Sequence, residues 1–281
     1  METYLVFKVL NNNVIIALND EKEEVILIGK GIGFNKKKND LIKEDTVEKL
    51  FVLRNKLEQE NYLKLLPNLS ESTLGAIITA TEMIKRKSNV LLKEKVHVAL
   101  TDHILFAITR LNRGMGIKNP FLTETKVLYP FEYEIAAEVV DHINHSLDIY
   151  LPESEIGFIA LHVHSAITDT SLSELNTYSN LLSQLVNTIE EQLDVKMDRE
   201  GIDYFRIVRH IRYTIERVLK GEKSEEPMKL AALLKNEYPV CYNLSWKLIK
   251  IIQQTLKKPV YDAEAVYLTM HLQRLLLKKD S

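Results

Sequence analysis

The feature that most constrains this chain is that its second half repeats its first, in register on histidine. His103 opens a His-Ile-x-x-x-Ile-x-Arg pattern (His103, Ile104, Ile108, Arg110), and His210 opens the same pattern (His210, Ile211, Ile215, Arg217). A Tyr-Pro pair follows in each copy, 26 residues after His103 at Tyr129-Pro130 and 28 after His210 at Tyr238-Pro239. Each copy closes on a glutamate seven residues ahead of a second histidine, Glu155 before His162 and Glu264 before His271. A repeat of about 105 residues is far longer than a solenoid unit, so each copy is expected to be a domain of its own. Four equivalent imidazoles kept through that duplication point to chemistry on histidine.

The stretch ahead of the duplication has a different character. Tyr4 to Val9, Val14 to Leu18, Val25 to Ile28 and Lys49 to Leu53 are short β-branched or aliphatic runs, broken by asparagine, acidic and glycine-bearing turns. That pattern predicts a small four-stranded antiparallel sheet. So small a sheet buries little surface and is expected to dimerise or lean on a neighbour. From about residue 60 the apolar spacing turns helical. The runs Val98 to Ile108, Glu132 to Ile143 and Glu155 to Ala166 are matched in the second copy by Asp203 to Leu219, Leu244 to Leu256 and Asp262 to Leu277. Gly114 and Gly221 stop the first helix of each copy, and the polar link Thr168 to Ser173 separates the copies. The fold class expected is α+β and multidomain: the sheet over 1–58, then two homologous all-α bundles over 65–170 and 171–281.

The formal net charge of −2 gives no global attraction to nucleic acid or membrane, and a single cysteine, Cys241, excludes an internal disulfide framework. Without a secretory leader pattern or a membrane-length apolar run, a cytoplasmic chain is expected.

Eight histidines occur, at 97, 103, 142, 145, 162, 164, 210 and 271. A lone histidine is most often a half-buried helix residue, and His97, His142 and His145 are read that way. His162 and His164 sit two apart and so on different sides of a helix, and no His-x-x-x-His or cysteine pair is present, which argues against a metal site. No nucleophile elbow or P-loop occurs, and no cofactor is called for. The remaining chemistry for His103, His162, His210 and His271 is reversible phosphoryl acceptance, for which a neutral imidazole is suited. His164 stays open as a competing acceptor. Arg110 and Arg217, two turns after the first histidine of each copy, could pair with the added dianion or could be solvated surface.

Locally the N-terminal stretch is basic. Between Val25 and Lys43 there are five lysines and one acid, with Phe34 following Gly29, Gly31 and Gly33. Such a loop suits a stacked base and a phosphate track, although an ordinary lysine-rich turn fits the same residues.

The segments Lys8-Val9-Leu10-Asn11-Asn12-Asn13-Val14 and Leu27-Ile28-Gly29-Lys30-Gly31-Ile32-Gly33-Phe34 resemble the co-antiterminator RNA-binding domain of the BglG/LicT transcriptional antiterminators. The duplicated half resembles their two phosphotransferase-system regulation domains (PRDs). Leu100 to His103, Ile117 to Leu122, Leu234 to Pro239 and Trp246 to Thr255 are closest to glucose-type members. The resemblance implies a homodimer that binds a leader-mRNA hairpin (RAT) through Asn13, Gly29, Lys30 and Phe34 and so prevents a terminator from forming. It also implies phosphorylation of His103 and His162 in the first PRD and of His210 and His271 in the second. The sugar-specific Enzyme II and HPr of the phosphotransferase system would be the donors. Such a protein is a regulator and not an enzyme. A DNA-binding activator carrying the same modules, or a phosphotransfer protein, are the competing readings; an activator would need a helix-turn-helix in the first 55 residues.

Overall fold

The computed structural model describes residues 3–51, 60, 64–65, 69–90, 94–222 and 228–279. The N-terminal part is an antiparallel sheet of β1 (Thr3–Asn11), β2 (Val14–Leu18), β3 (Glu24–Ile28), β4 (Leu41–Lys43) and β5 (Lys49–Phe51), in the order β4-β1-β2-β3-β5. The four expected strands are present as β1, β2, β3 and β5, with residues 52–53 of the last outside the described residues. The three-residue β4 adds to the β1 edge, pairing Leu5 with Leu41 and Tyr4 with Ile42. Its brevity and its charged flanks hide it from periodicity.

The first hairpin closes on the triple asparagine. Asn13 N–H donates to Asn11 Oδ1 at 2.9 Å, an Asx-type turn, and β2 leaves at once in register Asn11↔Val14. Tyr4, Val6, Ile15, Ala17, Val25, Leu27, Ile32 and Ile42 make one buried core. Complete burial of each valine, leucine or isoleucine among them contributes about 1.5–3 kcal/mol. On the other face of β1, Leu5 and Phe7 remain exposed, as does Leu41 beside Leu5.

Ten helices follow among the described residues, five ahead of residue 170 and five after it. They are α1 (Glu71–Ser88), α2 (Glu94–Asn112), α3 (Leu122–Leu128), α4 (Pro130–Leu147) and α5 (Glu153–Thr168), then α6 (Leu172–Leu193), α7 (Ile202–Lys220), α8 (Met228–Glu237), α9 (Pro239–Leu256) and α10 (Ala263–Lys279). All six expected helical runs fall on helices. The polar link Thr168 to Ser173 supplies the start of α6, where Ser171 and Glu174 form a reciprocal capping box. Gly221 ends α7 with φ +68°, a backbone conformation that costs a side-chain-bearing residue energy. No helix among the described residues is long and apolar enough to cross a membrane.

The chain forms two compact units, residues 1–118 with 134–169, and residues 119–133 with 170–281. Within the second unit α3 packs against α6 and α7. Its buried Glu124 accepts a hydrogen bond from Tyr204 at 2.7 Å, and the Leu128 carbonyl accepts from Arg212. Its repeat counterpart α8 packs instead on α9 and α10.

Candidate functional site: two histidine pairs and a glycine loop

In the first copy, α2 carries His103 and Arg110, and α5 carries Glu155 and His162. Their 3.6-residue periods turn these four side chains to a common seam. The His103 and His162 rings lie 5.0 Å apart between centroids. Glu155, only 3% exposed, takes Arg110 Nη2 on one oxygen at 2.6 Å and His103 Nε2 on the other at 2.9 Å. A carboxylate oxygen accepts, so His103 Nε2 is the donor in this bond. His162 is 8% exposed. Burial, followed by the neighbouring His103, lowers its pKa to about 3, so it is neutral at any physiological pH.

The second copy builds the same seam from α7 and α10. The His210 and His271 rings are 4.4 Å apart. Glu264 is buried, but its oxygens are used differently. Arg217 donates to both, from Nε at 2.7 Å and from Nη2 at 2.6 Å, and the Thr214 hydroxyl donates at 2.7 Å. Burial alone would raise the Glu264 carboxyl; the hydrogen bonds from Arg217 and Thr214 outweigh it and hold the group below the usual carboxylate range. His210 Nε2 is shut off from solvent and makes no hydrogen bond. Burial, then the adjacent His271, lowers its pKa to about 4, and burial followed by Arg274 and Arg206 lowers that of His271.

The structure thus brings all four module histidines into two tilted ring pairs. Both arginines are clamped to buried glutamates, Arg110 itself only 6% exposed and the Arg217 side chain 31% exposed. His97 is buried against Thr81, its Nδ1 3.2 Å from the hydroxyl, as a structural residue would be. His142 and His145 lie on α4, away from either pair in sequence, with His145 Nδ1 on the Asp141 carbonyl at 2.8 Å. His164 is half-buried on α5, two residues beyond His162. Thr214 was not among the residues singled out from the sequence; its equivalence to Ala107, four residues after each first histidine, was the available signal.

The N-terminal loop divides its four candidates in two. Asn13 is 7% exposed, its carbonyl accepting from Gly29 N–H at 3.0 Å and its side-chain oxygen from Gly31 N–H at 2.7 Å. It holds the glycine turn against the first hairpin. A Cβ on Gly29 would stand 2.4 Å from the Thr46 carbonyl oxygen, so only glycine fits there. Lys30 and Phe34 are exposed, Phe34 by 63%, and offer a cation and a ring to a ligand. Asn13 and Gly29 therefore shape the loop, while Lys30 and Phe34 can reach outward.

An antiparallel sheet presenting such a loop, ahead of two helical modules with paired histidines, defines the class of PRD-containing regulators with an RNA-binding head. The family description "CAT RNA binding domain" matches residues 4–60 and "PRD domain" matches residues 79–166 and 183–275. The chain belongs to the BglG/LicT antiterminator family, in its GlcT-type branch. It is 54% identical over 276 residues, 98% of each chain, to the PtsGHI operon antiterminator of Bacillus subtilis (strain 168). It is 43% identical over 274 residues, 97% of this chain and 96% of the other, to the GlcA/glcB genes antiterminator of Staphylococcus carnosus (strain TM300). Among solved structures, the crystal structure of GlcT CAT-PRDI is 50% identical with a TM-score of 0.54, covering 59% of this chain and 99% of that one.

Proposed function

We propose that this chain is a transcriptional antiterminator for a phosphotransferase-system sugar operon, with glucose as the sugar. Residues 1–58 hold the leader-RNA hairpin (RAT) so that the overlapping terminator does not form. The modules at 65–170 and 171–281 set its activity by reversible histidine phosphorylation. The observation that carries this reading is the pairing of His103 with His162 and of His210 with His271, each beside a clamped Glu–Arg pair, behind an RNA-binding sheet. Glucose comes from the relatives, named as antiterminators of the ptsGHI operon and of glcA/glcB.

Phosphoryl transfer at the first module comes from the sugar-specific Enzyme II, and at the second from HPr. His103 is the more accessible acceptor of its pair, because His162 is 8% exposed. A dianion on His103 would confront Glu155 and loosen α2 from α5, which suits an inhibitory signal. Homodimerisation through the sheet is supported by the exposed Leu5, Phe7 and Leu41. RNA contact falls to Lys30 and Phe34 on the loop built by Asn13 and Gly29. The DNA-binding activator has no support in the described residues 3–51, which form strands and turns in place of a helix-turn-helix.

The test is a gel shift of the full chain against leader hairpins from sugar-transport operons. Phe34→Ala is expected to weaken binding by about 1–3 kcal/mol, the worth of one stacked base. Lys30→Ala should weaken it less and flatten its salt dependence. Unchanged binding in both variants would remove the assigned RNA face. In sugar-free cells, His103→Asp should reproduce the inhibited state; full antitermination by that variant would remove His103 from the switch.

A further inference from the structure

The seams of the two modules differ in a third layer that the histidine pairing does not use. Along α7, Thr214 and Arg217 lie beyond His210 in one direction, and Arg206 and Asp203 lie one and two turns from it in the other. On α10, Arg274 stands three residues after His271. Both arginines converge on one carboxylate: Asp203 Oδ1 is 3.7 Å from Arg206 Nη1 and 3.7 Å from Arg274 Nε. These are loose tethers, longer than hydrogen bonds. Arg206 Nη1 is screened from solvent and makes no hydrogen bond, an N–H donor without an acceptor. The corresponding positions in the first module are Val96, Ala99 and Ser165, which supply no cation at all.

We infer that Arg206 and Arg274 form a phosphoryl-retaining site, which holds a phosphoryl group carried by His271 and thereby ties α7 to α10. The inference rests on the module histidines being phosphoryl acceptors, and it names the residues that give the second module its own response. Two guanidinium groups against one Asp203 leave an excess cation, and guanidinium forks match the three oxygens of a phosphoryl group. Arg206 and Arg274 have side chains 41% and 57% exposed, so each can swing from its loose hold on Asp203 toward an incoming dianion. Glu264 is already held on both oxygens by Arg217 and Thr214. His210 Nε2 is enclosed, and the two arginines act on His271, so His271 is the assigned ring. Burial and the two arginines keep His271 neutral and therefore nucleophilic. A phosphoryl group in the first module meets Glu155 and separates two helices; one in the second meets Arg206 and Arg274 and joins two helices.

Phosphoramidate is a suitable donor because, as a small molecule, it needs no docking surface. The His271 lone pair forms the new N–P bond while the P–N bond of phosphoramidate breaks. Ammonia leaves with that electron pair, and the proton lost from the second ring nitrogen of His271 passes to it. The full chain is phosphorylated, donor is removed, and the residence of phosphate on each histidine at neutral pH is followed by phosphopeptide mass spectrometry. In the wild-type chain phosphate should reside on His271 about tenfold longer than in Arg206→Gln/Arg274→Gln. The Arg274→Gln single variant, which alters an exposed side chain, should fall between. Residence on His103 in the same molecules should not change, and Arg206→Lys/Arg274→Lys should restore part of the effect. Equal residence in wild type and variants, modification of His210 in place of His271, or uptake confined to the first module would each overturn the inference while leaving the antiterminator reading intact. Uptake at no histidine would remove both.

Discussion

In the first module Glu155 divides its carboxylate between Arg110 and His103, whereas in the second Glu264 gives both oxygens to Arg217 and Thr214 and leaves His210 Nε2 unbonded. The residues at matching positions are the same histidines, glutamates and arginines, so composition does not explain the difference. One side chain goes far toward explaining it: the position four residues after the first histidine is Ala107 in one copy and Thr214 in the other. A hydroxyl there takes an oxygen of the glutamate, and the alanine methyl cannot. The two copies carry the same histidine, glutamate and arginine set, and one small polar substitution is enough to wire the glutamate differently.

The largest test of this comparison is removal of each glutamate. Glu155→Ala strands Arg110, whose side chain is only 7% exposed, and should cost about 3–5 kcal/mol. Glu264→Ala should cost less, because the Arg217 side chain is 31% exposed and can reach water. Urea unfolding of both variants measures the order, and the reverse order would break the comparison.

Acid should come next. His162 and His210 have folded pKa values of about 3 and about 4, against 6.5 unperturbed. Below pH 6.5 the unfolded chain binds protons that the folded chain refuses. Stability is therefore complete above pH 6.5 and falls as pH drops toward 3 for His162 and toward 4 for His210. By pH 5 each group should have cost about 2 kcal/mol, from 1.36 kcal/mol per unit. His162→Leu should flatten the pH dependence of unfolding free energy by about that amount, and an unchanged slope would mean that His162 protonates in the folded state.

The smallest effect, and the sharpest, is Thr214→Ala. Loss of one hydrogen bond should cost about 1.5 kcal/mol or less, the low end for a charged acceptor, since Arg217 keeps both oxygens. The informative readout is NMR titration of His210. With Thr214 gone, Glu264 is freer to accept from His210, and the imidazole pKa should rise toward its ordinary value. No movement would show that the arginine fork alone decides the wiring.

Much of this molecule was readable before any coordinates. The short β-branched runs bounded by turn residues gave four strands, and six helical runs fell on helices through their i, i+3, i+4 spacing. The individual bounds of α1, α3, α6 and α8 were not drawn within the helical region, and β4 was not foreseen; α3 has only seven residues and β4 only three, too few to show a period. Asn13 and Gly29 were legible as members of the RNA loop, but not that they build it while Lys30 and Phe34 point outward. That distinction needs the Gly31 N–H to Asn13 bond and the close Thr46 carbonyl, both made between turns far apart in sequence.

The sequence by itself determined the duplication, the positions of the four histidines and the glutamate and arginine that travel with each pair, because period and spacing fix which helix face a residue occupies. Only the tertiary structure decided what those groups do to one another. Glu155 lies 45 residues from Arg110 and 52 from His103, and a choice between two donors at 2.6 and 2.9 Å depends on how α2 and α5 pack. Periodicity places a side chain on a seam; the distance across the seam determines whether a histidine is left bonded, buried or poised beside an arginine.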